Sequence, residues 1–265
     1  LDNYPGKNFI YNSFVINDRI WVNDNQLLKD FEFLNDLYEK ILDNLTSYLN
    51  TLHNVQHKKK FWRIVLGPWL IIYLFMSYDK WKKIKETVEK FLVNKAIVLN
   101  FDKNYLTPYE LEDFINLTQN DLWNQTINQE ICKEFLSDKN IEEVEFHEEA
   151  RIKKELEINR LKGEEHGLIK KILFKLLSFG NKKNYKFFIY KPYIGAIKES
   201  ILSKKLNQLP IFSIYKKKYY QKKKIDYNSR NNLKVLFTPN NKFENYILES
   251  LKYHLPKIFI ENFED

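Results

Sequence analysis

The sequence has few of the residues from which common catalytic and ligand-binding motifs are built. Its 265 residues include one cysteine, Cys132, and six glycines. A single cysteine excludes an internal disulfide framework and a cysteine metal cluster, and it favours a reducing compartment such as the cytoplasm. The glycines form neither GxGxxG nor GxxxxGKS/T, and HExxH and GxSxG do not occur. The common phosphate-loop, zinc-protease and serine-hydrolase signatures are therefore excluded.

Arginine is also scarce, although the protein is basic. Lysine and arginine total 43 against 35 aspartate and glutamate residues, so the formal net charge is +8, and five of these cations are arginine. Nucleic-acid-binding proteins usually concentrate their charge and use arginine for bidentate contacts. Residues 215–224 (YKKKYYQKKK) interleave lysine with tyrosine, as single-strand-binding segments do. We interpret this segment as a solvated loop and keep nucleic-acid binding as an alternative.

Hydrophobic periodicity predicts a helix-rich first half. Apolar residues recur at steps of three and four over residues 28–49, which predicts a long helix with Asp24 or Asn25 as its N-cap. Residues 117–136 predict further helix. Residues 142–165 are dense in both charges and predict an exposed helix or a helical hairpin.

Residues 107–110 (TPYE) predict another helix start. Thr107 would be the N-cap, Pro108 the first helical residue and Glu110 the third, which closes a capping box.

The last third of the chain alternates between short apolar runs and helical patterns. Strands are predicted there at residues 185–190, 211–215 and 233–238, and another strand is predicted earlier, at residues 95–100. Helices are predicted at residues 167–179 and 194–206. A further helix is predicted after an N-cap at Asn241, with Glu244 as its third residue. This alternation predicts an α/β fold with a Rossmann-like, mostly parallel sheet and many helices. We predict one domain over residues 1–265.

Residues 61–81 (FWRIVLGPWLIIYLFMSYDKW), here called the tryptophan block, concentrate the rarest residue types. They hold three of the five tryptophans and the Gly67-Pro68 pair. One interpretation is a helix that breaks at Gly67 and resumes at Pro68. The other is a strand, a turn and a helix whose N-terminus faces an anion. We favour the first because the flanks carry helical spacing. The uncharged run is shorter than the roughly 18–20 residues of a membrane span, which favours a buried helix.

The tryptophan block supplies four candidate site residues. Arg63 lies between Trp62 and Trp69 and could hold a phosphate or carboxylate bidentately. Its alternative is a structural ion pair with a buried carboxylate such as Asp79. Trp62 and Trp69 could stack on a sugar or a base, or could be core residues. Asp79 could be a general base or an ion-pair partner.

Two histidines, His53 and His57, are spaced to share one face of a helix and could hold a metal. They lack the carboxylate that follows in zinc-protease motifs, and we interpret them as a surface pair. No metal and no cofactor are expected.

The tryptophan block also carries a resemblance. FWRI at residues 61–64, GPWL at 67–70 and DKW at 79–81, after LNDLYEKILDNLTSYLN, resemble the N-terminal part of a transferase family from bacterial surface-polysaccharide gene clusters of the O-antigen type. The family's motif has arginine where Lys80 stands here, and a lysine lacks the planar fork that makes bidentate contacts.

That family is similar to glycosyltransferases built from two Rossmann domains, the GT-B fold. The resemblance implies that this chain is most of an N-terminal, acceptor-side half, with both ends truncated. The family's glycine-rich His-Gly-Gly stretch is absent. We expect this half alone to be inactive because transfer needs both halves to position the reactants.

The first functional hypothesis is therefore a glycosyltransferase of surface carbohydrate biosynthesis. It would take a nucleotide-activated sugar and a glycan acceptor in the cytoplasm, with peripheral contact at the inner membrane, and nucleic acid is not an expected partner. Arg63 would bind an anionic group, Trp62 or Trp69 would line the site, and His53 or Asp79 would assist proton transfer. The alternatives are a basic nucleic-acid-binding module and a non-catalytic scaffold domain.

Overall fold

The computed structural model describes residues 23–91, 93, 95–146, 149–161, 196–206 and 224–263. The chain divides into two compact units. One comprises Leu1–Ala150 with Tyr220–Asp265, and the other comprises Arg151–Tyr219. The prediction of a single domain, and of a GT-B-like half, stays a prediction. The described part is rich in helices and contains a small parallel sheet.

The first helix, α1, spans Asp24–Leu52 and confirms the periodicity of residues 28–49. Its N-cap is Asn23, whose side chain accepts a hydrogen bond from the Asn25 backbone, so the predicted cap was one or two residues too late. One stripe of the helix is buried, formed by Leu34, Leu37, Tyr38, Ile41, Leu42, Leu45 and Leu49.

The tryptophan block forms two helices with a bend of 65° between them. Helix α2 spans Lys59–Val65 and helix α3 spans Gly67–Phe91, which confirms the broken-helix interpretation. A Cβ at residue 67 would lie 2.5 Å from the Tyr38 hydroxyl oxygen, so a larger residue at the bend would displace the Tyr38 side chain. No single helix of the described residues is long and apolar enough to cross a membrane, and this bent pair passes that test by length and composition alone.

Two strands pair in parallel, β1 at Ala96–Asn100 and β2 at Ile141–Glu145. The Gln129 side chain bonds both the N–H and the C=O of Leu99, each at 2.9 Å, and so fastens a helix to β1. Strand β2 contradicts the helix predicted from residue 142, because pairing with β1 overrides local propensity. Helix α6, Glu149–Leu161, follows β2.

Helix α4 spans Leu111–Thr118 and helix α5 spans Asp121–Phe135. The helix start predicted at residues 107–110 was wrong. The C=O groups of Pro108 and Tyr109 accept backbone bonds from Lys257 and Ile258, at 2.8 and 2.9 Å, so this segment is held outside the helix. A long-range backbone pairing therefore replaces the local capping box.

In the second unit, helix α7 spans Ala196–Lys205 and confirms the helix predicted at residues 194–206. In the first unit, α8 spans Tyr227–Asn231 and continues into a 3₁₀ turn at Asn232–Val235. That turn contradicts the strand predicted at residues 233–238. Helix α9 spans Lys242–His254, with the predicted cap confirmed. The elements predicted at residues 167–179, 185–190 and 211–215 lie outside the described residues.

A buried arginine, Arg230, anchors the chain segment that follows α9 by an ion pair and hydrogen bonds. Arg230 is 2% exposed, and its Nε and Nη2 donate to the two carboxylate oxygens of Glu261 at 2.6 and 2.8 Å. Its Nη1 donates to the C=O groups of Lys252 and Leu255, at the end of the helix. Arg230 thus has the kind of structural ion pair with a buried carboxylate that the sequence suggested as an alternative role for Arg63.

Candidate functional site

The two tryptophans predicted to bind substrate lie in the core. Trp62 and Trp69 are both 0% exposed. The Trp62 indole donates to Asn50 Oδ1 at 2.9 Å, and the Trp69 ring stacks on Tyr73 at a centroid distance of 5.3 Å. Neither ring presents a face on which a sugar could stack in this conformation. Their predicted role in binding stays a prediction that would require the helices to part.

Arg63 is exposed and forms a bidentate ion pair with Glu39 of α1, at 2.5 and 2.7 Å. The partner suggested from the sequence, Asp79, instead contacts Lys83 at 2.7 Å on its own helix. Arg63 lies on α2 and Asp79 on α3, beyond the 65° bend, whereas Glu39 of α1 lies within hydrogen-bond distance of Arg63. Hydrogen bonds from Arg63 and Lys59 lower the pKa of Glu39 to about 2. The guanidinium is thus occupied by a carboxylate of the protein itself.

The predicted histidine pair does not share a helix face. Helix α1 ends at Leu52, and Asn54 follows with a φ of 52°. His53 Nε2 lies 2.8 Å from the C=O of Phe259, and the ring stacks on Phe263. Across the described ranges, no group of three metal-ligating side chains occurs.

The predicted site residues therefore converge only in part. His53 and Trp62 both contact the Phe263 ring, at centroid distances of 4.1 and 5.5 Å. Arg63 and Asp79 lie outside this cluster and pair with Glu39 and Lys83 instead. The catalytic roles of His53 and Asp79 stay predictions.

A different set of side chains surrounds a cavity of about 210 Å³ between α5 and α9, here called the glutamate cavity. Its lining consists of Lys103, Glu130, Lys133, Glu134, Tyr246, Glu249, Ser250, Lys252 and Tyr253. The cavity thus combines carboxylates, amines and hydroxyls, the groups that perform proton transfer and bind charged substrates.

Glu130 lies at the buried side of this cavity, with 8% of its side chain exposed. His254 Nε2 lies 3.3 Å from one carboxylate oxygen, and Lys103 Nζ lies 2.9 Å from the other. Burial acts to raise the pKa of Glu130, but the hydrogen bonds and charges of His254 and Lys103 outweigh it and leave the pKa lowered. Glu130 is therefore an ionised group held in a fixed position.

Glu134 lies one helical turn further along α5, and its pKa is shifted in the opposite direction. Burial raises the pKa of its carboxyl group, Lys242 lowers it, and Glu249 raises it again, with a net upward shift. Two carboxylates of one cavity thus have pKa values shifted in opposite directions. Such a pair is typical of sites that divide a proton-donating or proton-accepting role from a purely electrostatic one.

A buried hydroxyl network supports the floor of the glutamate cavity. The Ser250 hydroxyl donates to the C=O of Tyr246 at 2.7 Å and lies 2.6 Å from the Tyr73 hydroxyl. Tyr73 is 0% exposed, and burial raises the pKa of its phenol. The network joins α3 to α9, so the cavity is built on rigid helices.

A third feature lies at the carboxyl ends of β1 and β2, where ligands bind in many open α/β sheets. A cavity of about 410 Å³ is lined there by Asn100, Phe101, Asp102, Glu145, Phe146 and Glu149. Asp102 caps the following 3₁₀ turn by accepting from the Asn104 backbone. Because its ionisable groups are all carboxylates, this cavity disfavours anionic substrates.

Sequence reasoning did not select Glu130, Glu134 or His254. The available signal was the spacing of the two glutamates, four residues apart in NQEICKEF, within a predicted helix. Glutamate and lysine are too common in this chain for that spacing to stand out.

Comparison with protein families decides the broader assignment. The model of the LIC12162 family transferases matches residues 3–265, nearly the whole chain. The chain belongs to the LIC12162 transferase family. No curated protein and no solved structure matches it. Membership of this transferase family confirms the general part of the resemblance seen in the tryptophan block.

Proposed function

We propose that this LIC12162 family transferase is a glycosyltransferase of bacterial surface carbohydrate biosynthesis. It transfers a sugar from a nucleotide-activated donor to a glycan acceptor, in a pathway of the O-antigen or lipopolysaccharide type. Family membership supports the transfer reaction. The observation that carries the assignment to a site is the glutamate cavity, where Glu130 and Glu134 have oppositely shifted pKa values beside three lysines.

Glu134 is the general base of the proposed reaction. It accepts the proton of the acceptor hydroxyl while that oxygen forms a bond to the anomeric carbon of the donor sugar. The bond from the anomeric carbon to the nucleotide diphosphate breaks, and the diphosphate leaves with the electron pair. A raised pKa suits this role because a general base works best when its pKa lies near the working pH.

Glu130 and the lysines have supporting roles in this proposal. Glu130 is a positioning residue that holds Lys103 at the cavity. Lys133 and Lys252 lie at the rim and face the negative charge that develops on the departing diphosphate. They are also within ion-pair distance of Glu143 and Glu249, so substrate binding exchanges one anionic partner for another.

The residues selected from the sequence are not used in this mechanism. Trp62 and Trp69 have no exposed surface, and Arg63 is occupied by Glu39. Their roles stay predictions, as do those of His53 and Asp79.

The test uses protein expressed from its complete reading frame, with a panel of nucleotide sugars and a labelled acceptor. Glu134→Gln should lower the transfer rate about 10²- to 10⁴-fold, the usual contribution of a general base. Glu142→Gln is the matched control, because Glu142 is an exposed carboxylate of β2 outside the cavity. Its rate should stay within twofold of wild type.

Two results would contradict the proposal. One is an absence of both transfer and saturable binding with every nucleotide sugar of the panel. The other is a Glu134→Gln variant that transfers as fast as wild type.

We also propose peripheral attachment at the cytoplasmic face of the inner membrane. The outer face of the α2–α3 bend carries an exposed apolar stripe, formed by Phe61, Ile64, Val65, Pro68 and Ile71. Ile64 is 66% exposed, and the exposed residues Lys58 and Lys60 lie beside it in the chain. An apolar face flanked by lysine is typical of helices that lie on anionic lipid.

Sedimentation with phosphatidylglycerol vesicles tests this attachment. Ile64→Gln should lower vesicle binding several-fold, and Val235→Gln, which replaces an apolar side chain that is 71% exposed elsewhere, should not. Equal binding of both variants, or no binding by wild type, would exclude attachment through this stripe.

A further inference from the structure

A third cavity, of about 550 Å³, lies between α3 and α9, and here it is called the aromatic cavity. Its volume falls within the range of about 300–1,000 Å³ that is usual for small-molecule sites. Its lining consists of Phe33, Tyr78, Trp81, Phe135, Phe243, Lys85, Glu89, Asn241 and Lys242. The proposed transfer mechanism gives these residues no role.

The rings of the aromatic cavity form a bowl. Tyr78 and Phe243 are 5.0 Å apart with their planes at 73°, and Trp81 lies 5.5 Å from Phe243 at 66°. Trp81 and Phe135 are 4.7 Å apart at 54°. Each of these contacting pairs is tilted or edge-on rather than stacked. Trp81 and Phe243 are only 6% and 4% exposed, so the ligand-facing surface of the bowl comes mainly from the half-buried rings Phe33, Tyr78 and Phe135. A thick, puckered ring fits a bowl of tilted faces better than a planar ring does.

One ring of the bowl is held in place by a buried carboxylate. The Tyr78 hydroxyl donates to Asp30 Oδ1 at 2.8 Å, and Asp30 is 4% exposed. Gln26 donates to the same oxygen, and Lys82 lies 3.2 Å from the other. Tyr78 is therefore oriented before any ligand arrives, which lowers the conformational entropy lost on binding.

The rim of the aromatic cavity is polar on two sides. Lys85 and Glu89 of α3 stand on one side, and Asn241 and Lys242 stand at the start of α9. The rim therefore supplies hydrogen-bond donors and acceptors together. The exposed pair of Lys85 and Glu89 is 3.9 Å apart, which leaves both groups able to bond a ligand.

We propose that the aromatic cavity binds a pyranose ring of the glycan acceptor. A pyranose has an apolar face of C–H groups, which packs on aromatic rings, and an edge of hydroxyl groups that donate and accept hydrogen bonds. The bowl matches the face, and the mixed rim matches the edge. A purely apolar ligand would leave the charged rim without partners and lose its hydration.

The aromatic cavity borders the glutamate cavity. Glu134 and Phe135 are consecutive in α5 and line different cavities. Tyr246 of the glutamate cavity packs its ring 5.5 Å from Trp81, and the charge of Lys242 acts on Glu134. A sugar held in the bowl would thus present the next position of the glycan toward Glu134. This assignment as an acceptor subsite rests on the proposed function.

Ligand-observed saturation-transfer NMR with methyl pyranosides of common hexoses and N-acetylhexosamines tests the inference. Wild-type protein should give saturable signals from the C–H face of at least one pyranoside at millimolar concentration. Phe135→Ala should weaken the apparent affinity at least fivefold. Tyr227→Ala is the matched control, because Tyr227 is an exposed aromatic residue that does not line the cavity. It should bind as wild type does.

A rim variant keeps the test informative if Phe135→Ala is unstable. Lys85→Ala with Glu89→Gln changes two exposed side chains, should leave the melting temperature unchanged, and should weaken the pyranoside at least threefold. The inference is overturned if no pyranoside binds, if binding is unaffected by both variants, or if uridine or guanosine monophosphate binds at this cavity instead.

These outcomes are separable from those of the proposed function. Pyranoside binding that the variants weaken, without any sugar transfer, would support the sugar subsite and contradict the glycosyltransferase. Transfer that depends on Glu134 but is insensitive to Phe135→Ala, in acceptor KM as well as in kcat, would support the glycosyltransferase and contradict the sugar subsite.

Discussion

The tryptophan block is built from rare residue types that are mostly buried, whereas the glutamate cavity is lined by common residue types. The tryptophan block holds the chain's rarest residues, and its Trp62, Trp69 and Tyr73 are all 0% exposed. The glutamate cavity is made mostly from glutamate, lysine and tyrosine, which are common here. Rarity in this sequence therefore marks positions where packing is demanding. Groups able to do chemistry are gathered from ordinary residues by the fold.

The physical reason lies in the size and shape of the side chains. A large ring in the core makes many close contacts, so few substitutes fit. A carboxylate at a cavity needs a particular place and a particular set of neighbours, which one sequence does not display. Variants in both regions test whether rare residues serve packing and common residues form the site.

Trp69→Ala should have the largest effect. Removing a fully buried indole should lower the free energy of unfolding by about 3–5 kcal/mol, because a cavity remains among Tyr73 and Phe114. Urea denaturation followed by circular dichroism measures the change. Ile64→Ala, at an exposed position of the same block, should stay within about 0.5 kcal/mol of wild type. A Trp69→Ala protein of wild-type stability that no longer binds substrate would restore Trp69 as a site residue.

Glu130→Gln tests the glutamate cavity. It should cost about 1–3 kcal/mol at pH 7, because His254 and Lys103 lose a charged partner. Glu130 has a lowered pKa in the folded protein, so its stabilisation is present above its ordinary pKa of 4.5 and is lost as pH falls through the folded value. The stability difference between wild type and variant should therefore shrink below pH 4.5. A difference that is constant across this range would contradict the ionised state.

Gly67→Ala tests the packing of the bend in the tryptophan block. The added methyl group would lie 2.5 Å from the Tyr38 hydroxyl oxygen, and overpacking of this kind costs about 1–3 kcal/mol. Tyr38→Phe removes that oxygen, so the double variant should recover most of the loss in a thermal unfolding experiment. Additive losses in the double variant would show that the strain lies in the backbone.

Arg63→Lys should have the smallest effect on stability. It replaces an exposed bidentate pair with Glu39 by a single contact, at a cost of no more than about 1 kcal/mol. Chemical denaturation gives the stability, and the transfer assay gives the activity. If Arg63 is structural, acceptor and donor KM should be unchanged. A rise in KM without a loss of stability would instead support the anion-binding role predicted from the sequence.

Local patterns predicted much of the described fold. The stripe of α1, the break at Gly67, strand β1, helix α7 and the Asn241 cap of α9 follow from periodicity and capping within a few residues. Two of the errors share one cause. Strand β2 and the extended segment before α4 are fixed by bonds to partners distant in sequence, at Ala96–Asn100 and at residues 257–258. Such bonds leave no trace in local composition.

The candidate site was the least predictable part. The sequence indicated Arg63 as a binding residue. In the structure Arg63 pairs with Glu39, a carboxylate on the preceding helix. Glu130 and His254 are 124 positions apart, and their contact exists because α5 and α9 pack side by side. No spacing rule along one chain anticipates a pair of this separation.

The transferase family, the helical character and the bend in the tryptophan block follow from the sequence alone, because they depend on motifs, on a period of 3.6 residues and on Gly67-Pro68. The tertiary structure decided which charges meet and which rings stay exposed. It buried Trp62 and Trp69, placed Glu130 beside His254, and shifted the pKa values of Glu130 and Glu134 apart. Burial and electrostatic coupling depend on distance in space, and a sequence records distance only along the chain.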